Sequence, residues 1–227
     1  MTYVRGELKI VLTLQLEVTM NIFESTKAGK MSIAKRKLVC GVGINDVDFV
    51  CTLVVEGKTK LYKPYSHWMN MLKRCYDKSF HDRRPTYLNT SVCNEWLSFS
   101  SFLSWHKDHY VEGWCLDKDI LGDGSYYSKE TCIYVPKQIN NFIEDSSAIR
   151  SSLGIGVNRT ASGSFHSYCR DPFLNKRVNI GYFNNLYQAQ QARLSYKLGL
   201  VEKYKSYFDQ IDIRIYPKVK EIVMLQR

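Results

Sequence analysis

The sequence predicts an α+β chain of two small domains. Three observations carry this expectation: two helical stripes of large aromatic and aliphatic residues before residue 110, a strand–turn–strand–helix series across residues 114–141, and three short strands with a helix after residue 154. With 227 residues there is enough chain for two separate cores.

Taken in order, residues 1–30 read as a leader or extension that need not be ordered. The apolar run Ile10–Met20 is interrupted by Gln15 and Glu17 and is too short and polar to span a membrane. Met31 looks like a second start, followed by a basic arm at Lys35-Arg36-Lys37. Residues 31–147 form the first expected domain. Tyr65, Trp68, Leu72 and Cys75 recur at helical spacing, as do Trp96, Phe99, Leu103 and His106, and Phe102 and Trp105 join them as packing residues. Lys73, Arg74, Arg83 and Arg84 are left as exposed cations, and His67 and His81 read as surface or hydrogen-bonded histidines.

The densest chemistry lies from Trp114 to Asn141. Leu116-Asp117-Lys118-Asp119-Ile120 alternates apolar and charged residues as a half-buried strand does, and Gly122-Asp123-Gly124-Ser125 supplies turn residues. Cys132, Tyr134 and Val135 lead into Pro136, which suits the first turn of a helix carrying Ile139, Asn140 and Phe142. Packing of hairpin on helix would let Asp117 and Asn140 face one hard cation; the competing reading is that both merely cap turns and a helix end.

A polar run at residues 144–152 is the expected boundary, and residues 148–227 form the second domain and a C-terminal tail. Residues 154–159, 163–170 and 177–183 read as three strands. A helix follows from about Leu186, with Leu186, Ala189, Ala192 and Tyr196 on one stripe and Gln188, Arg193 and Lys197 off it.

In order along the chain, Trp68–Tyr76, Pro85-Thr86-Tyr87, Val92–Trp96, Leu116–Ile120 and Tyr127–Cys132 through Asn140 resemble the HNH nucleases of the ββα-metal type, and in particular the phage HNH homing endonucleases. The resemblance implies an HNH-like ββα-metal module with flanking helices, Mg²⁺ or Mn²⁺ held by Asp117 and Asn140, and hydrolysis of duplex DNA in an infected host's cytoplasm. The position of the family's general-base histidine holds Lys118. An ordinary lysine, with a pKa near 10.4, is protonated at neutral pH. Lys118 is therefore either a base made neutral by its surroundings or a cation beside the phosphate, with Asp119, His106 or His109 as other candidates to activate water. The three strands and helix after residue 154, with their Gly-x-Phe and Ile-Gly-x-Phe strands, resemble the apetala or ethylene-response-factor DNA-binding domain. That resemblance makes Arg159, His166, Tyr168, Arg170, Lys176, Arg177 and Asn179 candidate DNA contacts, about half of which strand alternation should turn away.

Composition fits a nucleic-acid partner: 32 Lys and Arg stand against 22 Asp and Glu, giving a net charge of +10. From Arg150 to Lys205, nine cations face two acids, so that segment holds most of the excess. Seven cysteines, an odd number with no Cys-x-x-Cys pair, read as free thiols of a reducing compartment, although Cys75, Cys93, Cys115 and Cys132 would be the ligands if a structural zinc were present. Two functions stand: a metal-dependent DNA endonuclease, and a DNA-binding protein whose hairpin has lost its chemistry. An RNA or single-strand binder is a third, and neither a membrane nor a small-molecule substrate is expected.

Overall fold

A computed structural model describes residues 22–143 and 153–225. Its elements are α1 (Lys30–Ala34), β1 (Thr52–Val55), β2 (Lys58–Leu61), α2 (Lys63–Tyr76), α3 (Lys78–Arg83), β3 (Ser91–Val92), α4 (Phe99–His109), β4 (Cys115–Asp117), β5 (Tyr126–Tyr127), β6 (Ile133–Val135), α5 (Lys137–Ile143), β7 (Val157–Arg159), β8 (Phe165–Asp171), β9 (Lys176–Phe183), α6 (Leu186–Lys203), α7 (Lys205–Ile211) and α8 (Ile215–Leu225). Helices and small sheets are mixed, as an α+β chain requires. The chain divides into two compact units. The first runs to Glu112 and includes Gly124–Lys129; the second comprises Gly113–Asp123 and the chain from Glu130.

The first unit is organised by the two aromatic stripes. α2 has Pro64 in its first turn, where a missing N–H costs no helical bond, and Lys73 and Arg74 in its last turn, where cations favour the carbonyl end. It buries Trp68, Met71, Leu72 and Cys75, and α4 buries Phe99, Phe102, Leu103 and His106. The Trp68 ring lies 5.3 Å from that of Phe99, and its indole Nε1 donates to the Trp96 carbonyl at 2.6 Å. Gly43 passes over this cluster so closely that a Cβ there would collide with Leu72 and Trp68. Arg36, expected in a basic arm, donates to the carbonyls of Asn45, Val47 and Phe49 and closes their loop. Part of the expected leader also belongs to this fold. Residues 1–21 lie outside the described residues, but Phe23 is buried, its ring 5.3 Å from that of Tyr62, and the Ala28 amide donates to Asp48 at 2.9 Å.

β1 and β2 form a hairpin that the sequence reading did not anticipate, joined by Glu56 and Gly57, both at positive φ. Only two residues close it, and they have the left-handed conformations that match strand twist.

His67, read as a surface or hydrogen-bonded residue, is half-buried with its Nδ1 3.1 Å from Nε2 of His106. Burial lowers the pKa of His67 to about 4 and that of His106 to about 3, against 6.5 for an ordinary histidine. Both are therefore neutral in the folded state, and below the ordinary value the unfolded chain takes up protons that the folded chain refuses. The stability of this unit should be complete above pH 6.5 and fall as the pH drops toward 4. A urea midpoint that declines across this window, with two imidazoles still neutral by NMR at about pH 5, is the expected result.

In the second unit β4 pairs antiparallel with β6, Leu116 opposite Tyr134, and α5 follows directly after Pro136. The strand–strand–helix order matches expectation, but the connection does not. Fifteen residues separate Asp117 from Ile133, and Tyr126–Tyr127 pairs in parallel with Ser91–Val92 in the first unit instead of extending the hairpin. β7, β8 and β9 form an antiparallel sheet in chain order, with α6 packed on one face, where Ser167 Oγ donates to the Ala189 carbonyl at 2.8 Å. Asp171 pins the β8–β9 connection: its Oδ1 accepts from Phe173 and Leu174 amides at 3.0 and 3.1 Å, and its Oδ2 from Tyr204 at 2.7 Å.

The segment after Tyr204 is not a tail. It forms α7 and α8, whose Phe208, Ile215, Val219 and Val223 are buried in one cluster with Cys169, Leu200 and Val201, and with Ile120, Val135, Ile139 and Phe142 of the hairpin and its helix. At roughly 1.5–3 kcal/mol for each large apolar side chain, this cluster is the main source of the unit's stability. The expected boundary at residues 144–152 lies outside the described residues, and α5 groups with the C-terminal sheet and helices. Along α6 the expected stripe is rotated. Ala189 is buried, but so are Arg193 and Lys197, whose stems cover the helix flank, and the Lys197 ammonium lies 5.1 Å from the Phe142 ring centre.

Candidate functional site

The first candidate site is built from the end of β4 and from α5, which pack on one another. Asp117 and Lys118, expected to alternate between core and solvent, are both buried, while Asp119 is exposed. The strand stops at Asp117 because that side chain competes for the backbone. Its Oδ1 accepts from the amides of Asp119 at 2.9 Å and Ile120 at 2.8 Å, turning the chain so that Ile120 enters the core. Among the described residues both hydrogen bonds to this carboxylate fall on Oδ1. Burial raises the Asp117 pKa to about 6, and the Asp119 charge adds to the rise, while the two amides and the Lys118 charge oppose it. A buried carboxylate so placed favours a neighbouring cation. The Lys118 ammonium donates to Asp119 Oδ1 at 2.7 Å. Asn140 is half-buried on α5, its backbone amide donating to the Pro136 carbonyl at 3.4 Å.

The other candidates for activating water lie elsewhere. His106 is packed between Phe102 and Tyr110 in the first unit, and His109 there holds the Trp105 carbonyl through Nδ1 at 2.7 Å. Among the described residues no three His, Cys, Asp or Glu side chains come together as a metal-holding group. The four cysteines considered for zinc are split, Cys75 and Cys93 in the first unit and Cys115 and Cys132 in the second.

The second candidate site is the face of the three-stranded sheet opposite α6. Alternation in β8 puts Ser167, Cys169 and Asp171 toward the helix and His166, Tyr168 and Arg170 on the open face. Cross-strand register adds Arg177 opposite Arg170, Asn179 opposite Tyr168, and Tyr182 opposite His166. A register shift at Ser167/Tyr168 turns the half-buried Ile180 inward, so that Asn179 and Tyr182 share the open face although three residues apart. Tyr182 and Asn158, the latter opposite His166 on β7, escaped the sequence reading; the exposed aromatic two residues past Ile180 was the available signal. Arg159 and Lys176 pair with Phe165 and Asp171 and so lie on the helix-facing side, exposed at strand ends.

The open face is pre-ordered by its own contacts. Arg177 lies 3.5 Å over the Tyr168 ring, His166 stacks on Tyr182 at 4.8 Å, His166 Nε2 and Asn179 Oδ1 are 3.0 Å apart, and Arg170 donates to Asn175. Two guanidinium groups, two aromatic rings, an imidazole and amides on one sheet face suit phosphates and base edges. Among the four cations of the first unit expected to be exposed, Lys73, Arg83 and Arg84 are exposed, but Arg74 is half-buried and reaches the Tyr127 hydroxyl at 3.5 Å.

No family model matches the chain, and neither a curated protein nor a solved structure matches it. Among the described residues no helix is long and apolar enough to cross a membrane.

Proposed function

We propose that this chain is a metal-dependent DNA endonuclease of the HNH type that holds duplex DNA on the open face of its C-terminal sheet. The observation that carries the reading is the buried Asp117 at the end of a two-stranded hairpin followed at once by the Asn140 helix, in the order the ββα-metal resemblance requires. A carboxylate and an amide oxygen are hard donors that suit Mg²⁺ or Mn²⁺. Bound there, the ion would supply Lewis-acid stabilisation of charge on the phosphate. Asp117 would hold it through the oxygen that the turn amides leave open, and Asn140 would complete the protein's share.

Lys118, already donating to Asp119, serves better as a fixed positive charge beside the phosphate than as a base. His166, Tyr168, Arg170, Arg177 and Asn179 would position the duplex, Arg177 with the least freedom because its guanidinium is stacked. The chain's net charge of +10 supports association with phosphate at long range.

The test is nicking of supercoiled DNA with Mg²⁺, Mn²⁺ or EDTA, beside duplex binding across a salt series. Cleavage that needs the metal, reduced in Lys118→Ala without loss of binding, supports the nuclease. Binding without cleavage under any metal would replace it with the second reading, a DNA-binding protein that keeps only the hairpin's shape. Arg177→Ala should weaken duplex affinity by about 1–3 kcal/mol if its stacked guanidinium reads a base edge; unchanged affinity would remove the sheet from the interface.

A further inference from the structure

The β1–β2 ribbon is an isolated pair of strands with every residue of β2 exposed and Val54 72% exposed. Two-stranded hairpins alone are marginal in water, so this one depends on its base. There the Tyr62 amide donates to the Cys51 carbonyl at 2.8 Å, both residues are buried, and the Tyr62 ring packs against Phe23, Phe49 and Phe99. The Glu56–Gly57 turn closes the other end without slack. The result is an exposed two-stranded ribbon, not an irregular loop.

Register places Lys58 opposite Val55 and Lys60 opposite Leu53, so both ammonium groups lie on one face. Neither is engaged by a carboxylate among the described residues, whereas Lys63 at the ribbon's base is paired with Glu112. Four residues per strand make the ribbon about 13 Å long, comparable with the roughly 12 Å width of a major groove.

We infer that this ribbon is a second duplex-binding element, with Lys58 and Lys60 as contacts to phosphate. The inference rests on the proposed DNA function and extends it to the first unit. A lysine pair on an unpaired strand edge also discourages edge-to-edge aggregation, which is the competing role.

The experiment compares the full chain with Lys58→Gln/Lys60→Gln, which keeps the stems and removes two charges. The slope of log affinity for duplex DNA against log salt should become shallower by about 1.8, two contacts at roughly 0.9 each. Lys58 and Lys60 should also be shielded from acetylation by bound duplex, while the exposed Lys78 is not. An unchanged slope in a variant of a chain that does bind duplex would overturn the ribbon's role and leave the DNA reading intact. Increased light scattering with that unchanged slope would assign the lysines to aggregation control. Failure of the unaltered chain to bind duplex would overturn both.

Discussion

Asp117→Asn should abolish metal-dependent cleavage, by about 10²-fold or more, while leaving the fold intact. The substitution separates the two jobs this side chain can do. An asparagine carbonyl oxygen can still accept from the amides of Asp119 and Ile120, so the turn that sends Ile120 into the core keeps its geometry. What is lost is the negative charge that a hard cation needs. Thermal unfolding within about 1 kcal/mol of the unaltered chain, together with lost nicking, is the expected pair of results. Lost stability with retained nicking would assign Asp117 to the turn alone.

Trp68→Ala should have the largest effect on stability, about 3–5 kcal/mol, enough to unfold much of the first unit. Trp68 is completely buried, its ring contacts Tyr65 and Phe99, and its Nε1 bonds the Trp96 carbonyl. Truncation leaves a large cavity and an unsatisfied buried carbonyl at once, and Gly43 has no side chain with which to fill the space. A urea transition shifted by less than about 1 kcal/mol would show that this cluster is not the unit's core.

Much of the fold was legible because the period of the sequence decides it. The Trp68 stripe, the helix carrying Phe99, Leu103 and His106, the helix after Pro136 and the strands of the C-terminal sheet are where their spacing puts them, while Trp96 lies in a separate 3-10 turn, Asn94–Leu97, just before its expected helix. The misses have local causes. Asp117 and Asp119 alternate like strand residues, but the Asp117 carboxylate captures two amides and ends the strand, so the burial order is broken. Arg193 and Lys197 look like solvent residues because their charge hides how much of each side chain is hydrocarbon. α7 and α8 were passed over as a tail, although Ile215, Val219 and Val223 recur every four residues and are all buried. Of the candidate site, residue types and order were legible. The division of the sheet candidates between two faces was not, because it depends on a register shift that no spacing announces.

The hairpin, its helix and the C-terminal elements share one apolar cluster, Ile120, Val135, Ile139 and Phe142 lying among Val201, Phe208 and Val219. The two candidate sites are therefore not beads on a string. A fragment ending near residue 147 would carry the Asp117 turn but expose its supports, and one beginning there would lack part of its own interior. Evolution or engineering that exchanges the C-terminal sheet for another must bring the hairpin along or rebuild the surface beneath it, so the proposed DNA contacts would change more readily by substitution on the open face than by swapping modules.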